Sequence, residues 1–290
     1  MFERREDAAV AAVLSMLLEV SGTPKAGNVD REHDFIDLRY EHFLASASSV
    51  FPVFLKATSG GGVGELILNA VSESRRWHRA GNVHFGAFLL LIPLLKAWDA
   101  KNAEKAGIKA SMEVRKTTYI DSIKVLKAFR SSQARVMDAE TLDLASMETE
   151  ENIEAEKIDL HKWMMLAPEE NVIAKELVND FKLSVSNSKY ILEVFDACRD
   201  VNYSIVLGYL RMLSNVRDPL IISKFGIEVA DDVCRKAAGL LDRLTGNPER
   251  DIDLLRGFDG ELIRAGINPG SVADLTISSI YLALMEGLRF

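Results

Sequence analysis

The chain has 290 residues, of which 48% are hydrophobic and 27% charged, the make-up of a globule with a full core rather than a low-complexity chain. Its formal charge of −8 excludes a surface built for nucleic acid, since phosphate backbones need clustered Lys and Arg. A local basic pocket for a small phosphorylated ligand stays open. Cys198 and Cys234, without a C-x-x-C pattern, supply neither a zinc knuckle nor a disulfide framework and fit a reducing cytosol.

In chain order, the first apolar run follows Arg4 and Arg5. Glu3, Glu6, Asp7 and Glu19 in and around it, and the lack of a small-residue cleavage site, make it a helix rather than a signal peptide. Val10, Val13, Leu14, Leu17 and Leu18 form its apolar stripe. Gly22 is placed to end it in the left-handed conformation. Thr23 to Phe35 then reads as a loop, because Pro24 lacks a donor and Gly27 tolerates positive φ.

A second helix is expected over 37–55, kinked or ended by Pro52, and a third over 65–78 after the Gly60–Gly64 run. The block 85–98 is apolar and helical, too short to span a bilayer. Residues 99–118 are charged and weakly periodic, which suggests a surface excursion, and 120–130 is helical. Met147 to Asp159 is dense in acidic residues and reads as a solvated helix face or loop. Pro168, Pro219 and Pro248 each suit a first helical position, with Asp218 and Asn247 as N-caps. Helices follow over 168–183, 187–200, 202–214, 219–244, 248–265 and 271–287. No stretch alternates with period two, so the expected fold is all-α, a single compact multi-helix domain over 1–290 in a cytoplasmic protein.

The loop after the first helix holds the densest chemistry. Lys25 and Arg31 can neutralise a polyphosphate. If the second helix starts early, Asp34, Asp37 and Glu41 share one of its faces and could hold Mg²⁺, which takes oxygen ligands. His84, between Gly81-Asn82 and Gly86, can approach a ligand closely as acid, base or donor. Asp274 lies in Ser271-Val272-Ala273-Asp274, a capping-box pattern that by itself explains an acid there. The glycine run lacks the P-loop pattern and reads as a connector.

Three segments, T-P-K-A-G-N-V-D-R-E-H-D (23–34), G-N-V-H-F-G-A (81–87) and N-P-G-S-V-A-D-L (268–275), resemble in that order the motifs of the triphosphoribosyl-dephospho-coenzyme A synthase family. R-Y-E-H-F-L-A-S (39–46) and the terminal G-L-R-F resemble its archaeal branch. The resemblance implies an all-α transferase with ATP as substrate and Mg²⁺ as its cation. The ribose 2′-hydroxyl of dephospho-coenzyme A or a related acceptor displaces adenine, and the triphosphate stays on the transferred ribose.

Carried over by position, Lys25, Asn28, Arg31, His33, Asp34, Asn82, His84 and Asp274 fall in the motifs. With the spacing argument added, Lys25, Asn28, Arg31, His33 and Asn82 are expected to bind the nucleotide, Asp34, Asp37 and Glu41 to bind metal, and His84, Asp274 and Asp34 to carry the chemistry. Phe85 stands where the family has a lysine, which removes a phosphate cation and offers a ring to stack on a base. Two alternatives stand beside this reading. One is a nucleotide-binding helical protein with altered catalysis. The other is an all-α metal phosphohydrolase, suggested by the adjacent His33 and Asp34. The expected partners are small molecules, with no membrane and no nucleic acid, and a homo-oligomer stays open.

Overall fold

The computed structural model describes residues 1–133 and 148–290. Among them the regular elements are all helices. The chain runs through α1 (Arg5–Ser21), α2 (Tyr40–Ser49), α3 (Phe51–Ala57), α4 (Val63–Arg75), α5 (Phe85–Lys96), α6 (Ala103–Arg115) and α7 (Tyr119–Ser132). It continues through α8 (Glu148–Ala155), α9 (Leu160–Met165), α10 (Val172–Val178), α11 (Lys182–Cys198), α12 (Val201–Asn215), α13 (Pro219–Phe225), α14 (Ile227–Leu241), α15 (Pro248–Ala265) and α16 (Gly270–Met285). The all-α expectation holds for the described residues. None of their helices is long and apolar enough to cross a membrane.

Two helices form the centre. In α5 every residue from Phe85 to Leu95 is buried, and α16 is buried along almost its whole length. A helix that is apolar all round belongs in the interior, and these two pack on each other. Around them lie α1, α4, α6, α11 and α12, joined through one apolar cluster. The termini of three helices, the C-terminus of α1 and the N-termini of α5 and α16, border one cavity.

Several expectations change at this stage. The buried face of α1 is Ala8, Ala9, Ala12, Met16 and Val20, whereas Val10 from the expected stripe is 52% exposed. The alanines let neighbouring helices approach closely, and the larger apolar residues fill the flanks. Gly22 is not left-handed (φ −62°); a side chain there would press on Ile205. The supposed excursion at 99–118 is α6, whose buried stripe is Ala103, Ala106, Gly107, Ala110 and Val114. Its period is helical but written in small residues, so hydropathy understates it.

The expected second helix breaks at Val50, and Pro52 opens α3 instead of ending α2. The expected helix 219–244 divides at Gly226 (φ 89°) into α13 and α14. Pro168 lies outside α10, which is capped by Asn171. Pro219 and Pro248 do open helices behind Asp218 and Asn247. The acidic segment becomes α8, with Ile153 buried and glutamates on its exposed side; Met147 lies outside the described residues.

Asp218 does more than cap α13. Its Oδ1 accepts from Leu220 N–H at 2.8 Å, and its Oδ2 accepts from Val272 N–H at 2.8 Å, in the first turn of α16. One buried carboxylate thus serves two helix N-termini, where unpaired N–H groups and the dipole favour an anion. Burial pushes its pKa up to about 6 against these N–H donors. Each cap is worth about 1–2 kcal/mol. Asp218→Ala is therefore expected to lower stability by about 2–4 kcal/mol, measured by urea denaturation; a loss below about 0.5 kcal/mol would show that the double cap does not matter.

Candidate active site

The loop between α1 and α2 is a braced structure rather than a free arm. Asp30, buried, accepts from Lys25 N–H at 3.0 Å through Oδ2, and from Glu32 and His33 N–H at 2.8 and 2.9 Å through Oδ1. Gly27 is left-handed (φ 72°), and its N–H donates to Asp259 of α15 at 2.9 Å. A side chain there would come within 2.6 Å of the Ile267 carbonyl, so glycine is required. Tyr209 donates to the Ala26 carbonyl at 3.0 Å. Asn202 pairs with the Thr23 backbone and accepts from Arg31.

A cavity of about 670 Å³ opens beside this loop. Its wall draws on Glu19 at the end of α1, on Asn28, Phe35 and Asp37 of the loop, and on Phe43 of α2. Asn82 and His84 precede α5, Lys224 and Phe225 come from α13, and Asn268, Gly270 and Asp274 come from the start of α16. All three motif segments therefore contribute, although about 190 positions separate the second from the third. Asn28 ties the first to the third through its amide, which donates to Asn268 Oδ1 at 3.1 Å. Asn82 accepts from Phe85 N–H at 3.2 Å and so shapes the entry to α5.

Three ionisable groups on the wall have altered proton affinities. Glu19 is buried and pairs with Lys25 Nζ at 2.6 Å, while the same ammonium donates to the Glu19 carbonyl at 2.9 Å. Burial pushes the Glu19 carboxyl up, and the lysine pulls against it. Asp274 lies against the first turn of α5, near the Ala87 backbone, and a Cβ at Gly86 would overlap its carboxylate. Burial, and then the Glu19 charge, hold the Asp274 pKa well above its ordinary value. His84 is left-handed (φ 68°), 4% exposed, and hydrogen-bonded through Nδ1 to Ser46 Oγ at 2.9 Å. Its burial, with Lys25 second, lowers its pKa to about 3. The imidazole is neutral at physiological pH.

The sequence-derived candidates scatter when placed. His84, Asn82, Asn28 and Asp274 share the cavity wall. Asp274 is not part of a capping box: it sits inside α16, whose first-turn N–H groups are served by Asp218. Lys25 is wholly buried and committed to Glu19, and Arg31 is exposed on Asn202. Because α2 begins only at Tyr40, Asp34 and Asp37 precede it and do not share a helical face with Glu41. Asp34 accepts from Tyr40 N–H at 2.7 Å, which caps α2. Phe85 faces Phe129 in the core, ring centroids 5.8 Å apart, and is not on the cavity wall.

Among the described residues the acid and histidine ligand atoms that do converge belong to Asp30, His33 and Asp259. His33 Nδ1 lies 2.9 Å from Asp259 Oδ2 and 3.7 Å from Asp30 Oδ1. Asp34 is not in this group, so His33 and Asp34 do not form the adjacent dyad of a phosphohydrolase.

Sequence reasoning missed Glu19, Lys224 and Asp259. For Glu19 a signal existed: an acid in the last turn of a helix opposes the dipole, and it interrupts an apolar run, so it needed a partner. Lys224 and Asp259 carried none.

The chain matches the family described as ATP:dephospho-CoA triphosphoribosyl transferase over residues 5–289. It is 43% identical to a solved crystal structure of a candidate triphosphoribosyl-dephospho-CoA synthase from Archaeoglobus fulgidus. That match has a TM-score of 0.72 and covers 87% of this chain and 100% of that one. No curated protein matches it.

His84 should leave a mark on stability. Its folded pKa of about 3 lies below the unfolded value of 6.5, so the unfolded chain takes up the proton first. The stabilisation is present above about pH 6.5 and is lost as pH falls toward 3. Asp218 and Asp259, both raised to about 6, act in the opposite sense, so a comparison with His84→Asn isolates the term. The wild-type advantage over that variant should shrink by about 2 kcal/mol between pH 7 and pH 5 in urea denaturation. A constant difference would mean that His84 titrates normally.

Proposed function

The chain belongs to the family of ATP:dephospho-CoA triphosphoribosyl transferases, and from that premise we propose that the cavity bordered by Glu19, His84 and Asp274 is where the transfer occurs. The reaction is ATP-dependent triphosphoribosyl transfer to dephospho-CoA. A bond forms between the acceptor ribose oxygen and the anomeric carbon of ATP, the bond from that carbon to adenine breaks, and its electron pair leaves with the base. One proton is lost from the hydroxyl and one is taken up by adenine.

The observation that carries the assignment is two acids on one wall whose proton affinities are both raised by burial, with a lysine opposing that rise at Glu19 alone. Glu19 has a lysine at 2.6 Å, which supports its anionic form. Asp274 has no cation partner, and its pKa is raised. Acid and base roles follow from environments that push two carboxyl groups apart. Glu19 takes the hydroxyl proton and faces the positive charge that develops at the anomeric carbon, as carboxylates do in glycosyl transfer. Asp274 supplies the proton that adenine needs. His84, neutral, donates a hydrogen bond to the departing base.

The triphosphate calls for positive potential. Lys25 is consumed by Glu19, and the motif lysine is replaced by buried Phe85. Lys224 is the cation among the wall residues, and the triphosphate is placed on its side of the cavity. Mg²⁺ enters with ATP as part of the substrate. Of the three carboxylates expected to hold it, Asp37 alone is on the wall, and it would meet a hydrated ion there. Phe35 and Phe225 offer apolar surface for the base.

The direct test is chromatographic detection of free adenine from ATP and dephospho-CoA. Asp274→Asn should lower kcat by about 10²–10⁴-fold while an ATP-dependent rise in Tm persists. Binding of ATP without adenine release by the wild-type protein would favour a nucleotide-binding protein with altered catalysis, and the transferase reading would then fail.

A further inference from the structure

His84 is the end of a buried chain of polar groups whose other members lie off the cavity wall. Ser46 of α2, Ser74 of α4 and His78 just beyond α4 are 0%, 2% and 7% exposed. Ser74 Oγ donates to Ser46 Oγ at 2.8 Å. Ser74 Oγ lies 3.0 Å from His78 Nε2, and Ser46 Oγ lies 2.9 Å from His84 Nδ1.

The direction of one bond settles the others. A hydroxyl has a single proton, and that of Ser74 is given to Ser46. Toward His78, then, Ser74 can only accept, so His78 Nε2 carries a proton. Ser46 accepts from Ser74 and retains its own proton, for which His84 Nδ1 is the acceptor at hand. Were Nδ1 protonated instead, Ser46 would accept twice and leave a buried hydroxyl proton without a partner, which interiors avoid. Nδ1 is thus the acceptor, and the ring proton sits on Nε2. That atom is buried and finds no partner in the protein, although His84 borders the cavity. A neutral N–H without a protein partner is poised for an acceptor on a ligand.

We propose that Ser74 and Ser46 are positioning residues, forming a one-way hydrogen-bond chain from His78 that locks His84 as the Nε2–H tautomer and aims a neutral donor at an acceptor nitrogen or oxygen of the bound substrate. The further identification of that acceptor as a ring nitrogen of the departing purine rests on the transferase reading above. The ring itself is held by aromatic neighbours, Phe43 at 5.0 Å edge-on and Phe88 at 6.2 Å. The serines therefore have the tautomer, more than the ring position, to control.

Nitrogen-15 NMR of the wild-type chain, with long-range correlations from the ring carbons' protons, reads the tautomer without any substrate. The expected spectrum has His84 Nδ1 unprotonated and Nε2 protonated. An Nδ1–H ring would overturn the proposal. In Ser46→Ala the Nδ1 resonance should move off its wild-type position, and kcat should fall about tenfold with KM within about twofold. Ser74→Ala, which removes the donor to Ser46 but keeps the Ser46–His84 bond, should shift the same resonance less. If Ser46→Ala does not fold, as judged by circular dichroism, the wild-type tautomer and the Ser74→Ala shift still decide the matter. Resonances unchanged in the folded variants would refute the chain. An Nε2–H tautomer in a protein that releases no adenine would uphold the hydrogen-bond chain and discard the transferase reading instead.

Discussion

The contact between Asp274 and the first turn of α5 is the constraint on which the site depends. It joins the two most buried helices at their N-termini, and it is so close that Gly86 leaves no room for a side chain. The carboxyl group lies where the helix dipole favours an acceptor, yet it is half-buried with another acid, Glu19, nearby. A group in that position holds its proton more tightly than a surface aspartate. The geometry of two helices thus raises the proton affinity of this carboxyl group.

Glu19 and Lys25 form the counterpart. A buried ion pair adds little net stability, since desolvation offsets most of the attraction. What it does here is define charge: the lysine favours the anionic form of the glutamate, and the loop fold that delivers Lys25 depends on Asp30, Gly27 and Asp259. The dense polar composition of this loop is largely spent on holding its own shape. Lys25, Asp30 and Arg31 are braces, and the surfaces they present to the cavity are those of Asn28, Phe35 and Asp37. Polar residues in a loop can as easily satisfy its backbone as bind a ligand.

The cavity is also sparing with cations. Lys224 is the cation on its wall, and Phe85, at the position of the family lysine, is turned into the core. In the proposed reading a metal ion carried by the nucleotide would supply a larger share of the neutralisation than in a lysine-rich pocket. Asp30, His33 and Asp259 sit behind the loop rather than on the wall, so their convergence belongs first to the loop's architecture.

Local pattern alone determined that the chain is helical, that Pro219 and Pro248 open helices behind Asp218 and Asn247, and that three short motifs resemble those of the family. These are readable because caps, turns and helical period act within a few residues. Only the tertiary structure decided which polar residues face the cavity. Lys25 and Phe85 turned inward, Asp34 became a cap, and Asp274 left its apparent capping box to meet α5, while Lys224 entered from a helix that had shown no chemical signal. The physical reason is that side-chain direction depends on where a helix begins and what packs against it. A start displaced by three residues, as in α2, separates carboxylates that a helical wheel would bring together. Small-residue stripes such as that of α6 hide a buried face from hydropathy, because alanine and glycine gain their burial from close approach rather than from apolar area.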